Sequence, residues 1–102
     1  MIENLKKHRD EVADLCRQYR VARLELFGSA TGEAFDPDSS DLDFLVSFQP
    51  LSPSEHADAF FGLNEALEEL LGYRVELVEI APIKNPYFLK EIAKSRELIY
   101  AR

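Results

Sequence analysis

A strand, a sharply bounded helix and a second strand follow one another between Asp41 and Ile80, and this unit limits what the rest of the chain can become. Asp41 to Phe48 reads DLDFLVSF, a mostly apolar run of β character that ends before Pro50. Ser52, Pro53 and Glu55 then meet the demands of a helix start, with Ser52 as N-cap, Pro53 at the first helical position and Glu55 reaching back. Phe60, Leu63, Leu67, Leu70 and Leu71 form the apolar stripe of that helix, and Gly72 supplies its left-handed stop. Arg74 to Ile80, RVELVEI, is a strand rich in β-branched residues, with Pro82 just beyond it.

The flanks extend the alternation. Residues 3 to about 19 place Leu5, Val12, Leu15, Cys16 and Tyr19 at three-or-four spacing, as in an amphipathic helix. From Val21 to Phe27 the period changes to two: Leu24 and Leu26 share a covered face, and Arg23 and Glu25 take the other. Gly28 to Ser40 is loop, with room for one short helical turn in GSATGEA. A connection this long is uncommon in a compact domain unless it is functional. Asn85 and Pro86 start a last short helix carrying Phe88, Leu89 and Ile92, and Leu98, Ile99 and Tyr100 suit a final strand. The order α-β-(short α/loop)-β-α-β-α, closed by that strand, predicts an α/β (α+β) layered fold. With 102 residues and 46% apolar content, residues 1–102 are expected to form one domain.

A net charge of −7 repels phosphodiester backbones, so no direct nucleic-acid partner is expected. No apolar run has the length of a membrane span, and the opening MIENLKKHRDEV lacks the apolar core of a secretion signal. Cys16 has no second cysteine to pair with and sits on an apolar stripe, as a small buried hydrophobe does. A cytoplasmic protein is the expectation.

The chemistry concentrates between residues 33 and 43, where Glu33, Asp36, Asp38, Asp41 and Asp43 crowd together. Side chains alternate along a strand, so Asp41 and Asp43 point to one face while Leu42, Phe44 and Val46 anchor the other. Two converging carboxylates form a site for a hard cation, and Mg²⁺ is typically held by one or two carboxylates plus substrate phosphates. Glu76 interrupts RVELV on the face of Val78 and Ile80, and a charge among apolar neighbours wants a partner. Glu79 is the rival third acid, but alternation sends it to the opposite face. If Asp41, Asp43 and Glu76 converge, they can hold two divalent ions ~3.5–4 Å apart, the arrangement used in nucleotidyl transfer. Gly28 and Ser29, directly after the first strand, add close backbone approach, amide donors and a hydroxyl for a phosphate.

Other readings fail in detail. A calcium loop starting at Asp36 would put Asp41 where glycine is needed and Ser47 where the bidentate glutamate belongs. Ser29 lacks a nucleophile-elbow pattern, and His8 and His56 read as surface residues. Phe60 and Phe61 are adjacent, so they cannot both face one core, and one is expected at an interface.

FGSATG, SSDLDFLV and VELVEI resemble the Gly-Ser, Asp-x-Asp and third-carboxylate pattern of the DNA polymerase beta type nucleotidyltransferase superfamily. The length and the ending PYFLKEIAKSRELIY are similar to those of its MNT members, the minimal nucleotidyltransferases that work beside HEPN-type partners. The resemblance spans residues 21–100 and implies the nucleotidyltransferase fold, a small mixed β-sheet with helices packed against it. It also implies that Asp41, Asp43 and Glu76 bind two Mg²⁺ ions and form the catalytic set, and that Gly28 and Ser29 hold the triphosphate of ATP. The activity implied is transfer of AMP to a tyrosine hydroxyl of a HEPN-type toxin, an antitoxin role in a hetero-oligomer. Three departures stand in this sequence. The interval from Ser29 to Asp41 is one residue longer than usual, Ala30 and Thr31 replace the common basic residue, and Glu76 stands where many relatives have Asp. Two alternatives follow: a module that neutralises its partner by occlusion alone, and transfer to a small-molecule hydroxyl, which usually needs a second domain.

Overall fold

The structure, a computed structural model, describes residues 3–27, 42–79 and 96–102. The loop that begins at Gly28 and the short helix expected after Pro86 lie outside the described residues.

The first expected helix is two pieces, α1 (Glu3–Lys7) and α2 (Arg9–Gln18), separated by a turn at His8. The break is shallow. The His8 amide still donates to the Asn4 carbonyl, and the His8 carbonyl accepts from Val12, so the apolar stripe runs through and buries Leu5, Val12 and Cys16. Burial pushes the Cys16 thiol up to about 12, which leaves it protonated and inert at neutral pH.

α3 (Pro53–Leu71) begins and ends as its sequence dictates. The Ser52 hydroxyl accepts from the Glu55 amide, and the Glu55 carboxylate accepts from the Ser52 amide, so two orphan donors are satisfied at once. Gly72 at φ 74° closes the helix, its amide donating to the Glu68 carbonyl. Asn4 ties α1 to the far end of α3 by donating to the Leu71 carbonyl. Gly62 answers a packing need: a Cβ there would lie 2.6 Å from Cε1 of Tyr19. The bare helix surface therefore receives the aromatic ring that follows α2.

Four strands among the described residues, β1 (Val21–Phe27), β2 (Leu42–Phe48), β3 (Val75–Glu79) and β4 (Glu97–Ala101), form one sheet in the order β3-β2-β1-β4. β1 is antiparallel to both β2 and β4, whereas β2 and β3, joined through α3, run parallel. The sheet is thus mixed, as expected. Leu24, Leu26, Leu42, Phe44, Val46, Val75, Leu77 and Ile99 meet the helices' Leu5, Val12, Cys16, Leu63, Leu67 and Leu71 in the main core. Phe27 and Leu45 form a small second cluster with Val78. Side chains alternate along each strand, so this second cluster belongs to the opposite face of the sheet.

Candidate functional site

The second face carries the predicted carboxylates that can be located. Phe27 pairs with Asp43 across β1 and β2, and Asp43 pairs with Glu76 across β2 and β3. Residues directly paired in register point the same way, and neighbouring strands lie about 4.8 Å apart. Asp43 and Glu76 therefore stand side by side at the leading ends of two parallel strands. Asp43 is half-buried and Glu76 is exposed.

Local backbone contacts set this alignment. The Leu42 amide donates to the Arg74 carbonyl at 2.8 Å, which locks the first residue of β2 against the turn before β3. The Glu68 carboxylate, in the last turns of α3, accepts from the Val75 amide at 3.0 Å. Helix end and strand start are thereby fixed one residue before Glu76. Glu79, the rival acid, is engaged with His56 of α3, 23 positions earlier in the chain. Glu76 and Glu79 therefore take opposite faces of β3, as strand parity predicts.

Asp41, Gly28 and Ser29 lie outside the described residues, next in sequence to Leu42 and Phe27. Among the described residues no group of three acidic, histidine or cysteine side chains gathers into a metal site. Asp43 and Glu76 supply two hard oxygen donors on one face, a donor set suited to Mg²⁺ and unsuited to soft metals. Like charges at one strand spacing repel, and a divalent cation between them converts that repulsion into attraction.

One charged cluster on the same face went unread in the sequence. Glu25 is only 3% exposed, although period-two reasoning assigned it to an open face with Arg23. Its carboxylate accepts from Arg96 twice, at 2.8 Å from Nε and 2.6 Å from Nη2, and from Arg23 Nε at 2.7 Å. A carboxylate loses its hydration on burial and keeps its charge only if such donors replace the water. The sequence held the signal: Glu25 stands between Leu24 and Leu26 as Glu76 stands between apolar neighbours. The Arg partner, 71 positions later, could not be read from spacing.

The Arg96 hydrogen bonds, helped by Arg23, hold the Glu25 carboxyl below its ordinary 4.5 although burial pushes the other way. A depressed carboxyl stabilises the fold fully above its unfolded value and loses that contribution as pH falls through the folded one. Urea denaturation of the wild type should show stability declining below about pH 4.5, and Glu25→Gln should flatten part of that decline. An identical slope in the variant would mean that the cluster does not titrate with folding.

Comparison with known proteins agrees with the fold. Residues 5–99 match the family described as the nucleotidyltransferase domain. The chain is 37% identical over 99 residues to protein adenylyltransferase MntA of Thermococcus cleftensis, a match that covers 94% of this chain and 87% of that protein. A solved structure described as a candidate minimal nucleotidyltransferase is 32% identical, with a TM-score of 0.70 and coverage of 96% of this chain and 93% of that one. A chain in the complex of tri-AMPylated Shewanella oneidensis HEPN toxin with MNT antitoxin shares the fold at a TM-score of 0.63 and 17% identity, over 95% of this chain and 72% of that one.

Proposed function

The chain belongs to the nucleotidyltransferase domain family, and we propose that it transfers AMP from ATP to a tyrosine hydroxyl of a HEPN-type protein partner, acting as that partner's antitoxin. The single observation that carries the site is the register pair of Asp43 and Glu76 on the face away from the helices. Its support comes from sequence: Asp41 shares the strand parity of Asp43, and Gly28 and Ser29 follow β1 directly.

In this reading Asp41, Asp43 and Glu76 hold Mg²⁺, which when bound neutralises phosphate charge and makes pyrophosphate a better leaving group. Gly28 and Ser29 bind the β- and γ-phosphates through backbone amides and a hydroxyl. The acceptor oxygen attacks the α-phosphorus in line, an O–P bond forms, and the bond to the β-phosphate oxygen breaks. Glu76, exposed at the edge of the row, takes up the proton that the acceptor hydroxyl sheds. Most of the acceleration lies in positioning and charge neutralisation.

Mass spectrometry of a HEPN-type partner incubated with the chain, ATP and Mg²⁺ tests the reading. Added AMP on a tyrosine is the expected result. A stable complex that leaves the partner's mass unchanged, and whose inhibition survives loss of Asp43, would replace transfer by occlusion.

A further inference from the structure

We propose that Arg96, held in place by Glu25, is a phosphate-binding residue of this site that contacts the triphosphate of the bound nucleotide. The inference deepens the function proposed above and rests on it.

Three observations carry it. First, the register of β1 and β4 runs Glu25 with Leu98 and Leu26 with Glu97. Carried one step further, it sets Arg96 level with Phe27, which is itself the partner of Asp43. The row across this second face therefore reads Arg96, Phe27, Asp43, Glu76, with Arg96 two strand spacings, about 10 Å, from Asp43. Its two bonds to Glu25 place its side chain on this same face.

Second, the guanidinium is locked but not used up. Nε and Nη2 face the two oxygens of Glu25, which among the described residues leaves the Nη1 edge of the fork, and the Arg96 side chain is 36% exposed. A cation whose rotamer is fixed beforehand loses little freedom on meeting a phosphate, and the planar fork suits phosphate oxygens. Arg23 bonds the same carboxylate. Two guanidinium groups against one carboxylate leave the Glu25 cluster itself with one positive charge in excess, set apart from the acids Asp43 and Glu76 of the same row.

Third, the loop after β1 supplies no cation of its own. From Gly28 to Asp41 there is no Lys or Arg at all, so the loop expected to meet the phosphates has amides and hydroxyls but no cation. Arg96 supplies that charge from the opposite edge of the sheet. Glu25 acts through Arg96 and is a positioning residue.

Calorimetric titration of the full chain with ATP and with AMP, both with Mg²⁺, tests the assignment. In the double variant Glu25→Gln/Arg96→Met the buried carboxylate and its partner are removed together, so no charge is stranded in the sheet. This variant should keep the wild-type circular dichroism, lose about tenfold or more in ATP affinity, and change little toward AMP. Arg96→Gln, which leaves Glu25 paired with Arg23, should do the same and decides the matter if the double variant does not fold. Glu25→Gln alone keeps the cation but loosens it, and should weaken ATP binding by a smaller factor at unchanged AMP affinity. A folded variant lacking Arg96 that binds ATP as the wild type does would reduce Arg96 to a structural partner of Glu25. A wild-type chain that binds neither nucleotide would sink the site itself, and this assignment with it.

Discussion

Asp43→Asn should abolish measurable AMP transfer while leaving the fold intact. The substitution keeps shape and hydrogen-bonding capacity and removes one negative charge, so it isolates the electrostatic role from packing. Asp43 lies in the central strand of the row, between Phe27 and Glu76, on the face away from the main core. Losing a group that stabilises charge developing in the transition state costs at least about 10²-fold in rate, and losing a metal-binding carboxylate also weakens nucleotide binding. Thermal unfolding should shift by a few degrees at most, because no buried apolar contact is lost. Glu76→Gln should fall in the same way. Glu79→Gln is the informative control, since Glu79 is chemically alike, three residues away and engaged with His56 instead. Assayed with radiolabelled ATP and the HEPN-type partner, the three variants should separate into two inactive and one active. An active Asp43→Asn, or an active Glu76→Gln beside an inactive Glu79→Gln, would overturn the assignment of the row.

The parts of this architecture that were legible from sequence are those fixed by local rules. Ser52, Glu55 and Gly72 bound α3 because capping chemistry acts within one helical turn. Glu76 could be told from Glu79 because strand parity alone decides which face a side chain takes. That Asp43 and Glu76 would be neighbours required one non-local step, the parallel pairing of β2 with β3, which the helix between them makes natural. Glu25 was misassigned for the opposite reason. Alternation correctly put it on the second face, but whether that face is covered depends on Arg96, which no spacing rule connects to it. His8 interrupts the first helix without breaking its stripe, a difference of local geometry that periodicity cannot detect.

Phe44→Ala should cost about 3–5 kcal/mol, the largest stability loss expected from any single truncation among the described residues. Phe44 is fully buried in the strand next to the sheet's centre, in register with Leu26 on one side and Leu77 on the other. It shares one cluster with Leu63 and Leu67 of α3, so its ring joins the helix layer to three strands. Removing it forfeits the transfer energy of an aromatic ring and leaves a cavity that strands tied by backbone hydrogen bonds cannot close. Set against the ~5–15 kcal/mol available to a domain of this size, that loss leaves little margin, and the variant should be largely unfolded near its shifted melting point. Phe61 provides the contrast: it is 69% exposed, touches Phe60 edge-on, and its truncation should cost under about 1 kcal/mol. Urea titration followed by circular dichroism separates the two, with the midpoint falling steeply for Phe44→Ala and barely for Phe61→Ala at a common slope. The site depends on the same residue, because Phe44 holds β2 on the helices and so fixes the height at which Asp43, its neighbour on the other face, meets Glu76. A loss below about 1 kcal/mol for Phe44→Ala would mean that β2 is not pinned by this core, and the Asp43–Glu76 row would lose its physical support.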